Sequence, residues 1–307
     1  MTTKQENSSK VAVVEKESTS VIVAESETSV NNGSTSSANA SSAQQLIRLA
    51  KNFSIEGGLL PQEKQMPIAD RAIKRERLVN LRQQNNLESI ITKAIEYCDD
   101  ENAVSKTDHD WFSSFISLAE NISNTTMQGL WAKILAGEVS KPGSFSFKAL
   151  KVFKNMSIRD AKLFAKACYL ACNESQKNNY RIITGASQQP SLFNIFDSKR
   201  QQVVNLNTFG LSYGDILSLA ENNLIFSQET ETNTFSKGNT LVMDYNGMPL
   251  MVTATRTNTV LSFYKFTPAG TELARLINES PEMAYLKSLK SQLSHHFSIQ
   301  TKTPEKD

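Results

Sequence analysis

The sequence predicts an α+β protein: an N-terminal helical bundle with one long helix, followed by a smaller α+β domain. Three observations carry this expectation. Residues 68–98 contain no Gly or Pro and are mostly strong helix formers. From Thr107 to Cys172, apolar residues recur at three- and four-residue steps behind well-formed helix starts. After about Asn179 the pattern changes to short β-branched and aromatic runs divided by turn residues. The expected divisions are a disordered tail at 1–43, a helical domain at 44–178, an α+β domain at 179–294 and a disordered tail at 295–307.

The first 43 residues hold Ser, Thr, Asn, Glu and Val but no aromatic residue, too little apolar surface to offset the entropy of ordering. They lack the cationic start and continuous apolar run of a secretion signal. No stretch reaches the roughly 18 apolar residues of a membrane span, so a cytoplasmic protein without membrane contact is expected. Gln44–Phe53 reads as a short helix, broken by Gly57-Gly58 and Pro61. The long helix then runs from Pro67 to Cys98, with Leu87, Ile90, Ile91, Ala94, Ile95 and Cys98 on one apolar face.

The next helix starts near Thr107 with Asp110 three residues on, and carries Trp111, Phe112, Phe115, Ala119 and Ile122. His109 between two aspartates reads as part of this cap. Ser123-Asn124 caps a fourth helix bearing Met127, Leu130, Trp131, Ile134 and Leu135, with Gly137 suited to its end. Glu138 sits awkwardly there, because a helix C-terminus disfavours an anion. It is relieved if the Pro142-Gly143 turn brings back the next helix start, near Ser144 or Ser146. Trp131, Glu138, Pro142, Gly143, Ser144, Phe145 and Ser146 are therefore the candidate structural or binding corner. Ser157 with Asp160 opens a helix carrying Ala161, Phe164, Ala165, Cys168 and Cys172 on one side.

LWAKILAGE, then PGSFS, then KNMSIRDA resembles the signature of a bacterial family of unknown function, over roughly Leu46 to Leu276. More distantly, the tryptophan-bearing helix is similar to one in the alpha-type abortive-infection proteins, associated with defence against phage. These resemblances imply a bacterial cytoplasmic protein and assign no catalytic residue.

In the second half, Tyr180–Thr184 reads as a strand, and Ser212 with Asp215 caps a helix carrying Ile216, Leu217 and Ala220. Leu241–Tyr245 and Leu250–Thr255 flank Asn246-Gly247, a hairpin signal, with Pro249 suited to an edge. Val260–Phe266 is a further strand, and Thr267-Pro268 starts a helix. A last amphipathic helix carries Leu286, Leu289 and Leu293. The order of helix, strands and helix resembles the closing part of a winged-helix domain. Its candidate recognition helix holds Asp215 and Glu221 and no Lys or Arg, which phosphates would repel, so protein contact is the expected use.

The net charge of +2 is small, and its distribution says more. Residues 64–82 bring six cations against Asp70 and Glu76, a local +4. Arg71, Lys74, Arg75 and Arg82 form a basic stripe, the candidate surface for nucleic acid or an acidic partner. Three cysteines on apolar helix faces fit core packing rather than a disulfide framework or metal site. His295-His296 is expected to be exposed near a frayed end. The chain has no phosphate-binding loop, dinucleotide fingerprint or nucleophile elbow. No cofactor or metal is expected. The expected function is non-enzymatic interaction or scaffolding with a protein partner or another copy, in phage defence; the alternative is nucleic-acid binding.

Overall fold

The computed structural model describes residues 41–98, 106–174, 179–190, 198–277 and 280–301. Of the expected disordered tail at 1–43, residues 1–40 lie outside them, whereas residues 41–43 are ordered, Ser41 capping a helix that starts at Ser42. The described residues belong to one compact unit, with a hydrophobic core continuous from Ile90 to Ile299 rather than two cores meeting near residue 178.

The helices of the first half are α1 (Ser42–Asn52), α2 (Ile68–Glu96), α3 (His109–Ala119), α4 (Thr125–Ser140), α5 (Phe147–Asn155) and α6 (Ile158–Leu170). Their starts follow the expected chemistry. Asn124 accepts from the Met127 N–H, and Ser157 and Asp160 form a reciprocal capping box. At α3 the cap is Asp108, one residue after the expected Thr107. Gly137 does not end its helix, which runs on to Ser140. A Cβ at Gly137 would lie 3.0 Å from the Phe145 ring, so glycine there admits an aromatic side chain.

Trp131, fully buried, has Phe115 at 5.3 Å and Phe153 at 5.1 Å between ring centroids. Trp111 extends the cluster by stacking on Phe115. The expected apolar face of α2 is split: Ile90 and Ala94 are buried, whereas Ile91, Ile95 and Cys98 are exposed. α4 covers only one arc of α2, and that arc includes a polar network. Asn86 donates to the Glu120 carbonyl at 2.8 Å and Ser89 to Gln128 Oε1 at 2.9 Å, while Gln128 donates to the Ile122 carbonyl at 2.9 Å. α6 stops at Leu170, so Cys172 opens a strand instead of sharing the helix face with Cys168. Burial, then the charge of Asp244, pushes the Cys172 thiol up to about 12, keeping it protonated.

The sheet contains β1 (Cys172–Glu174), β2 (Asn179–Gln188), β3 (Gln201–Val203), β4 (Thr230–Glu231), β5 (Thr240–Tyr245), β6 (Met248–Ala254), β7 (Thr259–Lys265) and β8 (Phe297–Thr301). The order is β4-β7-β2-β1-β5-β6-β8, with β3 also on β2, and every pairing is antiparallel. Asn246 and Gly247 both have positive φ, as the two-residue β5–β6 turn requires. Pro249 lies one residue before the β6–β8 pairing begins, where its missing N–H leaves no gap. Helices α7 (Tyr213–Glu221), α8 (Pro268–Ala274) and α9 (Met283–Gln292) complete the fold. α7 and α8 start on the expected Ser212–Asp215 box and Thr267 cap.

The small sheet expected at 179–294 is thus part of an eight-stranded one among the described residues. Two strands come from outside that segment: β1 from the expected helical domain and β8 from the expected tail. Residues 295–301 are therefore not a disordered tail: Phe297 and Ile299 alternate into the core beside β6. His296 is likewise fully buried, not exposed. Its Nε2 lies 2.9 Å from the Lys199 carbonyl and must donate, because a carbonyl can only accept. Its buried Nδ1 has no partner among the described residues.

Burial, the largest cause, lowers the His296 pKa below its ordinary value. Below about pH 6.5 the unfolded chain takes up this proton more readily than the folded one, so acid favours unfolding. The expected result is a melting temperature that falls between about pH 7 and 5, and falls less in His296→Gln. Parallel pH–stability curves for the two proteins would refute this.

Candidate functional site

Two places gather the candidate residues: the corner between α4 and α5, and the arm formed by α1, the connecting turns and the first half of α2. At the corner, helix α4 delivers Glu138 into the interior at 3 % exposure. One carboxylate oxygen accepts from the Gly143 N–H at 2.7 Å, the other from the Phe145 N–H at 2.9 Å. The expected relief of Glu138 is therefore present, though its donors belong to the turn just before α5. The turn reverses at Gly143, whose φ of +84° suits glycine. Ser144 returns both its N–H and its hydroxyl to the Lys141 carbonyl, the latter at 2.6 Å.

Three further residues complete the corner, none of them among the sequence candidates. Trp111 Nε1 donates to the Phe145 carbonyl at 2.6 Å. Glu272 of α8 accepts from the Ser146 N–H at 2.7 Å and its hydroxyl at 2.8 Å, clamping the start of α5. Arg275 Nη1 donates to the Ser144 carbonyl at 3.3 Å. Local sequence could flag Trp111 as an aromatic, but nothing in it links Glu272 to a serine 126 positions away. Trp131 is not at the turn; it packs beneath it in the aromatic cluster. With both Glu138 oxygens occupied by backbone donors, the corner is a structural lock.

On the arm, the four residues of the basic stripe separate. Arg82 places its guanidinium 4.7 Å from the centre of the Phe53 ring, a cation–π contact back to the end of α1. Arg71 lies against the Gly57 turn so closely that a Cβ there would be 2.5 Å from its Cδ. Lys74 and Arg75 remain exposed, joined by Arg77. The stripe thus binds the arm to itself at two points and offers cations to solvent at the others.

Around them the arm is uncovered. From Ser42 to Arg82 the sole buried residue is Ala50. Leu46, Leu49, Phe53, Ile55, Leu59, Ile68, Ile73 and Leu81 are all exposed, with Ile68 at 73 %. The apolar residues recur along α1 with helical period, so one face of it is oily and faces water. Among the described residues, no helix is long and apolar enough to cross a membrane.

A family model described as "Protein of unknown function (DUF2806)" matches residues 70–290. No curated protein and no solved structure matches the chain. The matched span includes the corner, β1 to β7 and most of α2, and leaves α1 and β8 outside.

Proposed function

The chain belongs to the DUF2806 family of proteins of unknown function, and we propose that it is a non-enzymatic interaction protein that pairs with a second copy of itself through the arm. The observation that carries this reading is the near-complete exposure of the apolar side chains between Ser42 and Arg82. The second copy is favoured by the pattern on α2. Exposed Ile73, Arg77, Leu81, Gln84, Glu88, Ile91 and Ile95 follow one another at three- and four-residue steps, the spacing of a helix-pairing seam.

Charge supports an antiparallel arrangement. Residues 68–82 hold five cations against two anions, a net +3, whereas residues 83–96 hold Glu88 and Glu96 against Lys93, a net −1. A two-fold axis across the helix lays the basic half of each copy along the acidic half of the other. α2 is 29 residues, about 43 Å at about 1.5 Å per residue, long enough with α1 to reach the roughly 20–30 residues a side of a stable interface.

Sedimentation equilibrium is expected to give a mass twice the 34.1 kDa of one chain, with Ile73→Asp and Leu81→Asp reverting it to one chain without loss of helix content. A concentration-independent monomer would refute the pairing. The resemblance to abortive-infection proteins points the assembly toward phage defence in the bacterial cytoplasm. Unchanged plating of a broad phage panel after gene deletion would count against that role.

The exposed Lys74, Arg75 and Arg77 favour a second reading, nucleic-acid binding. The winged-helix likeness adds little, since α7 carries Asp215 and Glu221 and no cation. Phosphate contacts require affinity that falls steeply with salt and a flatter slope after Lys74, Arg75 and Arg77 are replaced by Ala. Absence of binding at low salt would end this reading.

A further inference from the structure

A second surface feature is independent of the arm. Between α7 and the sheet lies an open cleft of about 550 Å³, within the size range of small-molecule sites. Its floor is aliphatic, made by the buried side chains of Val204, Leu206, Leu211 and Ile216. Its polar lining sets the neutral amides of Asn205 and Asn207 and the hydroxyls of Thr184 and Ser212 beside a single charged group. Tyr213, 69 % exposed, and Tyr264 contribute aromatic rings, and Glu229 contributes a carboxylate. One Glu229 oxygen accepts the Thr184 hydroxyl, and no lysine or arginine pairs with this carboxylate among the described residues.

We propose that the cleft binds a small ligand with an amine or guanidinium on an apolar stem, the stem on the aliphatic floor and the cation against Glu229 and the two tyrosines. Tyrosine faces attract cations, and a carboxylate beside them adds a charge-assisted hydrogen bond. An anionic ligand meets repulsion from Glu229. At the start of α7 it also meets the Asp215 carboxylate, which accepts both the N–H and the hydroxyl of Ser212. A wholly apolar ligand would leave the carboxylate desolvated without a partner. Burial, then Glu229 and Tyr213, raises the Tyr264 pKa, so its phenol stays neutral and adds no second negative charge.

The test uses agmatine and n-hexylamine as probes, with hexanoate and hexanol as controls of similar size, titrated calorimetrically into the full chain. Saturable binding of the cations with none of hexanoate is expected. Glu229→Gln is expected to weaken it about tenfold, the loss of one charge-assisted contact. Glutamine keeps a carbonyl oxygen for Thr184, and an unchanged melting temperature verifies the fold. Tyr213→Ala is expected to weaken binding several-fold. The proposal is overturned if neither cation binds saturably, if hexanol or hexanoate binds equally well, or if Glu229→Gln leaves affinity unchanged. The cleft shares no residue with the arm, so a monomeric Ile73→Asp variant is expected to bind as the parent does.

Discussion

Replacing Trp131 with alanine is expected to lower the unfolding free energy by about 3–5 kcal/mol, the cost of truncating a fully buried large aromatic. The side chain has no exposed surface and touches aromatic rings from two other helices, Phe115 of α3 and Phe153 of α5. Removing it therefore opens a cavity where three helices meet, which none of them can close without shifting against the other two. The indole Nε1–H has no acceptor among the described residues, so Trp131 contributes through packing alone. Trp131→Phe, which keeps a ring and discards an unsatisfied donor, is accordingly expected to be much milder. Urea unfolding followed by circular dichroism measures both. An alanine variant within about 1 kcal/mol of the parent would mean that the site collapses without penalty.

Glu138→Ala is expected to destabilise by about 1–3 kcal/mol, because the buried Phe145 N–H loses its acceptor and such an orphan costs about that much, whereas the exposed Gly143 N–H can turn to water. Phe145 gains no replacement from its neighbours in the turn: the Ser144 hydroxyl is directed at the Lys141 carbonyl, and Glu272 at Ser146. The loss should be felt beyond the turn, since Trp111 and Arg275 grip carbonyls of the same segment. Glu138→Gln, retaining one acceptor oxygen, is expected to fall between the parent and Glu138→Ala. Tryptophan fluorescence during urea unfolding reports on the corner directly through Trp111. If Glu138→Ala unfolds at the parent's midpoint, water reaches the turn and the corner is not a lock.

Much of the scaffold was legible because its signals are local. A capping box needs only a serine and an acidic residue three positions later, and Ser157–Asp160 and Ser212–Asp215 both form one. The Asn246-Gly247 hairpin and the Thr267-Pro268 helix start are equally short-range. Glu138 was readable from a conflict, an anion at a helix end beside a tight turn. Its distant partners were not readable, since Glu272 and Arg275 reach the corner from another helix. The basic stripe was visible as a spacing, but spacing cannot tell Arg82, stacked on Phe53, from Arg75 in solvent.

The strands overlooked in sequence, β1, β3, β4 and β8, are short and owe their existence to neighbours. β8 has a modest five residues, yet it completes a sheet whose other members lie far away in the chain. The alternation of Phe297 and Ile299 acquires meaning only once β6 is beside it. The same holds for the exposed half of α2: its apolar residues predict burial, and only the position of α4 decides that Ile90 is covered and Ile95 is not.

The sequence by itself determined the helix starts, the tight turns and the α+β character, because backbone donors are satisfied by side chains a few residues away. Tertiary structure alone decided which apolar faces are covered, that one core unites helices and sheet, and that Glu229 and two tyrosines line one cleft. Those outcomes depend on surfaces brought together across many tens of residues, where a side chain's environment is set by what packs on it rather than by what precedes it.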